Sequence, residues 1–374
     1  MPKRIATTPT GMTSHASISG ATASGTSRFA GRFGPELCDE FFRPATTGIT
    51  VSSLGVGTYL GDSTDADDAA YDAALRHAVA SGINVIDTAI NYRSQRSEQT
   101  VGSVIQRLLA DGVVNRDELV VSSKGGYLPL DRTPPATREA YREYVQREFI
   151  DSQVLRPDEL VGGGHSLAPR FLRFCLAKSR QNLGLRTIDI YYLHNPGQGA
   201  AGISAEALTA QIRGAFAVFE EAATRGDIGV YGCASWDEFR VAPGARGYLA
   251  LEHLVQIAHE LAGDAHHFKV IQLPINLAMT EAVRVPTQMV GGRMATPLEA
   301  AVDLGLNVVA SASLMQGRLT RGLPSALAAH FPAATTDAQR ALEFVRTLPG
   351  VTCALVGMKD VAHVDENLRG LRRS

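Results

Sequence analysis

Several things are missing from this sequence, and each absence excludes something. No apolar run approaches the roughly 20 residues that a membrane-spanning helix needs, and the N-terminus lacks the apolar centre of a secretory signal. Cysteine is scarce: Cys38, Cys175, Cys233 and Cys353 form no C-x-x-C pair and have no histidine nearby at zinc spacing. Three of the four sit inside apolar segments, as small buried hydrophobes do, so a reducing, cytoplasmic setting is expected. Charge of one sign is also missing. A net charge of -2 and a single tryptophan give neither a basic face nor a stacking pattern for nucleic acid, and no attraction to an anionic membrane. The ten histidines are dispersed and no metal site is expected; His266 and His267 adjoin ahead of the sixth strand, where a surface role is expected.

What is present is 374 residues of ordinary globular composition, 45% hydrophobic, with material for a large core. Eight short apolar runs recur: VSSLGVGT (51–58), NVIDTA (84–89), LVVSSKGG (119–126), IDIYYLHN (188–195), IGVYGCAS (228–235), KVIQLPIN (269–276), NVVASASL (307–314) and CALVGM (353–358). Between them lie helical patterns such as 68–82, 172–184, 216–226 and 337–350, each of which ends in glycine. Strict alternation implies parallel strands with right-handed crossovers, near-continuous apolar strands imply burial on both faces, and eight units close an α/β (β/α)8 TIM barrel. The rival open dinucleotide fold would carry G-x-G-x-x-G between an early strand and a helix. None occurs; VGGGH (161–165) lies in a long connection. Residues 1–35 are rich in Ser, Thr, Ala and Gly and have no acid. Their composition resembles a transit peptide, but a flexible leader over 1–41 ahead of a barrel over 42–374 is the simpler expectation.

The catalytic face of such a barrel lies at the C-terminal strand ends. Reading off those ends gives Asp87 with Tyr92 after the second strand, Lys124 after the third, His194 after the fourth, Ser235 after the fifth, and Gln272 with Asn276 on the sixth. Each has a plain structural alternative, but together they form a constellation at one mouth. The order of these residues resembles the aldo-keto reductase superfamily. The match runs through DTAINYRSQRSE (87–98), SSKGG around Lys124, DIYYLHNP (189–196), GDIGVYGCASW (226–236), QLPIN (272–276), LMQGRLT (314–320) and VGMKDVAHVDENL (356–368), over about residues 42–370.

The resemblance implies reduction of a carbonyl by a nicotinamide. A phenol can protonate the oxygen, but its ordinary pKa of about 10 is high for that task. A neighbouring ammonium lowers it, and a carboxylate keeps the ammonium charged. Tyr92 is thus the expected general acid, Lys124 its tuner and Asp87 the partner of Lys124, with His194 orienting the carbonyl. The resemblance also implies that Ser235 and Gln272 hold the nicotinamide amide, and that Leu314, Gly317, Arg318 and Leu319, then Gly357, Met358, Lys359, His363, Glu366 and Asn367, meet the rest of the cofactor. The chain departs from the family where Ala234-Ser235 replaces Ser-Asn and where Ser311 replaces an aromatic that stacks on the nicotinamide. Arg318, Arg321 and Lys359 offer positive charge to a 2′-phosphate, and NADP(H) is favoured over NAD(H).

The substrate is expected to be a small carbonyl compound, a sugar or an acidic one included. Arg93, standing where glycine is common, either contacts it or points to solvent. The connection from Tyr127 to Ser166 is too long to be incidental. It should hold a short amphipathic helix and cover the mouth as a lid, with Tyr127 and His165 as further substrate contacts. Two other readings stay open: a dehydrogenase running oxidatively on a sugar or alcohol, and a weakly active cofactor-binding regulatory barrel. Oligomeric state is not legible.

Overall fold

The structure, a computed structural model, describes residues 20–200 and 202–373. The chain begins with α1 (Ala23–Phe33) and an antiparallel hairpin, β1 (Phe42–Pro44) and β2 (Thr50–Ser52). The barrel then follows as β3 (Leu54–Gly57), α2 (Asp65–Ala80), β4 (Val85–Asp87), α3 (Arg96–Ala110), β5 (Val120–Gly125), α4 (Arg138–Val145), α5 (Pro169–Leu183), β6 (Ile188–His194), α6 (Ala205–Arg225), β7 (Ile228–Ala234), α7 (Leu251–Ala262) and β8 (Phe268–Pro274). After α8 (Glu281–Arg284), a second hairpin of β9 (Gln288–Val290) and β10 (Arg293–Ala295) precedes α9 (Pro297–Asp303), β11 (Asn307–Ser311), α10 (Leu327–His330), α11 (Asp337–Arg346), β12 (Val351–Gly357) and α12 (Val361–Arg369).

Eight parallel strands close in the order β11, β12, β3, β4, β5, β6, β7, β8. All eight strands expected from the sequence are there. The lumen is a packed core of Val51, Val85, Val120, Tyr192, Val270, Val309 and Leu355, while a larger apolar layer joins the strands to the surrounding helices. Threonine or serine starts several helices: the side chains of Thr64, Thr137, Ser204, Thr296 and Thr336 each accept a backbone N–H of the first turn. Gly184 and Gly226 end α5 and α6 in the left-handed conformation. Gly232 is needed for another reason, since a Cβ there would clash with the Val270 carbonyl where β7 and β8 shift register. Among the described residues no helix is long and apolar enough to cross a membrane.

Residues 20–41 are folded, which corrects the expectation of a flexible leader over that part; residues 1–19 of the leader lie outside the described residues. The side chain of Thr22 caps α1, and Thr26, Phe29 and Phe33 recur at three- and four-residue spacing along one face. Phe29 is fully buried, and Leu37 and Phe41 join the same core. Arg28 pairs with Asp117 and Glu118 at 2.8 and 2.9 Å, and the backbone N–H of Ala21 donates to Asp189 at 2.5 Å. Asp189 in turn holds Arg116 at 2.7 Å. Abundant small polar residues hid three aromatic anchors. The first expected strand, 51–58, is likewise split: residues 50–52 pair back on β1, and β3 alone enters the barrel.

Candidate active site

The apolar strand 84–89 ends at Asp87, whose carboxylate lies under the mouth of the barrel. Lys124, from the neighbouring strand β5, is completely buried and reaches Asp87 Oδ2 at 2.6 Å; its ammonium also donates to the Thr88 carbonyl at 2.9 Å. Asp87 Oδ1 accepts from Ser122 Oγ at 2.7 Å and from Gln272 Nε2 at 2.9 Å. A buried ion pair is tolerable only when its remaining valences are met, and here the carboxylate has three donors. The chain then turns so that the Tyr92 ring lies 4.8 Å from the Lys124 ammonium and 6.0 Å, edge on, from the His194 ring. The four residues expected to act together are therefore brought together.

Their electrostatics differ from the expectation in one respect. Burial raises the Tyr92 phenol above its ordinary value, and the charge and hydrogen bonding of Lys124 offset this only in part. Lys124 was expected to bring Tyr92 below that value; the pull exists, but desolvation outweighs it. For Lys124, burial works against the charge, yet Asp87 and Tyr92 more than reverse it and its pKa is raised. His194 is held well below its ordinary value by burial, then by Lys124 and His165, so its imidazole is neutral and has one N–H to donate.

A cavity of about 870 Å³ opens above these groups. Asp87, Tyr92, His194, Ser235 and Gln272 line it beside Tyr59, Asn91, Tyr127, Asn195 and Trp236. It continues over Ser311, Leu314 and Gly317 to Gly357, Lys359, His363, Glu366 and Asn367. This volume and length fit a dinucleotide with a small substrate, and Asn91 Oδ1 and Ser313 Oγ on its wall have no partner in the protein. Gln272 is committed to Asp87, and Ser235 Oγ to the carboxylate of Glu238, whose backbone N–H it accepts at 3.0 Å. Arg318 and Leu319 do not line the cavity. Met358 is fully buried in the core under α12, its side chain turned inward by the strand alternation that leaves Gly357 facing out. Among the described residues no group of three or more His, Cys, Asp or Glu side chains is arranged to hold a metal.

Three expected substrate contacts fare differently. Tyr127 lines the cavity, its ring 4.8 Å from His194. His165 stands behind it, 3% exposed, donating Nε2–H to the His194 carbonyl at 2.8 Å; it supports the strand end and does not line the cavity. Arg93 neither lines the cavity nor points to solvent. Arg93, Ser94 and Gln95 all have positive φ, 47°, 54° and 69°, which turns the Arg93 side chain away from the mouth. It donates to the carbonyls of Asp62 and Thr64 at 2.8 and 3.3 Å, pairs with Asp68 at 2.5 Å and lies over the Tyr71 ring. The 127–166 connection does contain a helix, α4, but beyond Tyr127 it contributes nothing to the cavity wall. Leu128, Val145, Phe149 and Leu155 anchor it on Ile90, Phe171 and Cys175 at the barrel's flank, so it is no lid.

Asn195 was missed. It has φ 46°, donates from Nδ2 to the Tyr127 hydroxyl at 2.9 Å and accepts the Trp236 N–H on Oδ1 at 2.8 Å, so one amide ties two wall aromatics together. Its place directly after His194 at a strand end was the available signal. Tyr59, 56% exposed with its ring 5.1 Å from Tyr92, was missed for want of any motif.

The sequence model of the Aldo/keto reductase family matches residues 53–245. Among curated proteins, the chain is 32% identical over 155 residues to D-threo-aldose 1-dehydrogenase of a Pseudomonas species, covering 41% of this chain and 42% of that one. It is 30% identical over 154 residues to the NADH-specific methylglyoxal reductase of Escherichia coli K12, covering 40% of each. The matched region thus spans less than half the length of these relatives. Among solved structures, an aldo/keto reductase from Klebsiella pneumoniae in complex with NADP and acetate superposes with a TM-score of 0.57 at 21% identity, covering 88% of this chain and 89% of that one, a likeness of fold.

Proposed function

The chain belongs to the aldo/keto reductase family, and from that premise we propose that it reduces an aldehyde or ketone to the alcohol with Tyr92 as the proton donor. A bound nicotinamide dinucleotide would supply the hydride, and the residues that would hold it are Leu314, Gly317, Gly357, Lys359, His363, Glu366 and Asn367, with Ser235 and Gln272 on the same wall, the Ser235 hydroxyl and the Gln272 Nε2 being already engaged by Glu238 and Asp87. The observation that carries the reading is the fully satisfied Asp87–Lys124 pair buried beneath Tyr92 in that wall. Lys124 holds its proton and steadies the phenolate that Tyr92 becomes once its hydroxyl proton has passed to the carbonyl oxygen. Neutral His194 donates one N–H to the same oxygen and orients it. The raised pKa of Tyr92 keeps the phenol protonated at neutral pH, which suits reduction. The same residues serve the oxidative direction, a reading favoured by the likeness to a dehydrogenase.

With Arg93 turned away, no arginine among the described residues lines the cavity, and the lysine on its wall is Lys359, on the β12–α12 loop. The wall around Tyr92 is aromatic and amide: Tyr59, Tyr127, Trp236, Asn91 and Asn195. This suits an uncharged carbonyl compound, sugars included, over an acidic one. The four free cysteines accord with a reducing, cytoplasmic setting. The test is a screen of aldehydes, ketones and aldoses with NADH and NADPH, on wild type and Tyr92→Phe. The phenylalanine variant is expected to lose about 100-fold or more of turnover while still binding cofactor. Unchanged turnover in that variant would refute Tyr92 as the acid.

A further inference from the structure

The charges that surround the far end of the cavity bear on which dinucleotide it takes, and they oppose the sequence-based preference for NADP(H). This inference rests on the nicotinamide reading above. With the reacting ring against Tyr92, the remaining length of cavity runs over Leu314 and Gly317 to Lys359, Asp360, His363 and Glu366, so the adenosine half falls there. Lys359 is the lysine on that wall, and it is already engaged: its ammonium pairs with Asp67 Oδ1 at 2.8 Å, while Asp67 Oδ2 accepts the backbone N–H of Asp62 at 2.5 Å. The remaining charged groups on this bank are the carboxylates of Asp360 and Glu366, with the His363 ring 3.6 Å from Asp360. Met358 is in the core. Arg318 and Arg321 are exposed on the loop after β11, off the wall, next to Gly317 and Thr320.

We propose that this cleft selects NAD(H) over NADP(H), with Asp360 and the Asp67–Lys359 pair as the determinants. A 2′-phosphate brings a charge of about -1.5 to -2 at neutral pH. On the wall it would meet the carboxylates of Asp360 and Glu366, and one ammonium that Asp67 already neutralises. A ribose diol, by contrast, donates hydrogen bonds that carboxylates accept well. Arg318 and Arg321 are exposed and do not line the cavity, so neither enters this balance of charge.

Calorimetric titration of NADH and NADPH into the full chain, with no substrate present, tests this directly. Wild type is expected to bind NADH at least about tenfold more tightly than NADPH. Asp360→Ser should tighten NADPH by about tenfold and change NADH by less than about threefold. Asp360 precedes α12 without making a side-chain capping bond, and serine is a good residue there, so the fold should be kept. Asp67→Asn, which frees Lys359, should move NADPH in the same direction. Equal or tighter binding of NADPH by wild type overturns the proposal and leaves the nicotinamide reading standing. An NADH preference that neither variant shifts overturns the assignment to these residues. Binding of neither cofactor overturns the nicotinamide reading, and this inference with it.

Discussion

The ammonium of Lys124 lies 2.6 Å from the Asp87 carboxylate and 4.8 Å from the centre of the Tyr92 ring, so one buried cation serves both a structural pair and a proton donor. Removing it separates the two roles. Lys124→Met leaves Asp87 buried and uncompensated, a loss of about 3–5 kcal/mol of stability, and should lower turnover by about 100-fold or more. The double variant Asp87→Asn/Lys124→Met removes both charges and should recover most of that stability without recovering turnover. Denaturant midpoints and steady-state rates on the three proteins check it; a double variant as unstable as the single would mean that packing, not charge, sets the cost.

The pH dependence should lack the limb that an ordinary imidazole gives. His194 is held well below its usual value by burial, Lys124 and His165, so it stays neutral and kcat/KM for reduction should be flat through neutrality. Activity should fall only where Tyr92 loses its proton, above the ordinary phenol range because burial raises it. For stability the sign is the depressed-histidine case: the unfolded chain takes up a proton near pH 6.5 and the folded one does not, so stability present above that pH is lost as pH falls below it. His194→Gln should show a smaller loss between pH 7 and pH 5, read from denaturant midpoints.

Most of the barrel and all four central residues were legible because both follow from local pattern. Buried parallel strands are apolar on both faces, and the polar residue that ends such a run stands out, as Asp87, Lys124 and His194 do. Arg93 was illegible because its direction depends on three successive left-handed residues, none of them glycine. The role of α1 was illegible because its anchors, Phe29 and Phe33, lie among alanine, serine and glycine. Met358 was misplaced by one position, a step that moves a strand-end side chain from the cavity to the core.

Arg93→Ala follows from that correction. The guanidinium closes the 58–64 loop through the Asp62 and Thr64 carbonyls and Asp68. Asp68 keeps Arg96 as a second partner, so the cost should be about 1–3 kcal/mol, seen as a lower melting temperature. Activity on neutral and acidic carbonyl compounds should change by the same factor. Selective loss of the acidic ones would mean that Arg93 touches substrate after all.

The N-terminal segment supplies the last test. Phe29 is fully buried beneath the barrel in the cluster that holds Leu37 and Phe41, with Arg28 beside it bridging to Asp117 and Glu118. If this helix is part of the folded domain, Phe29→Ala creates a cavity worth about 3–5 kcal/mol, while Arg28→Ala, whose side chain is half exposed, costs far less. Both positions lie at the end of the barrel away from Tyr92, so the rates of the folded fraction should be unchanged in both. A melting temperature unmoved by Phe29→Ala would mean that the segment detaches in solution and that the barrel closes without it.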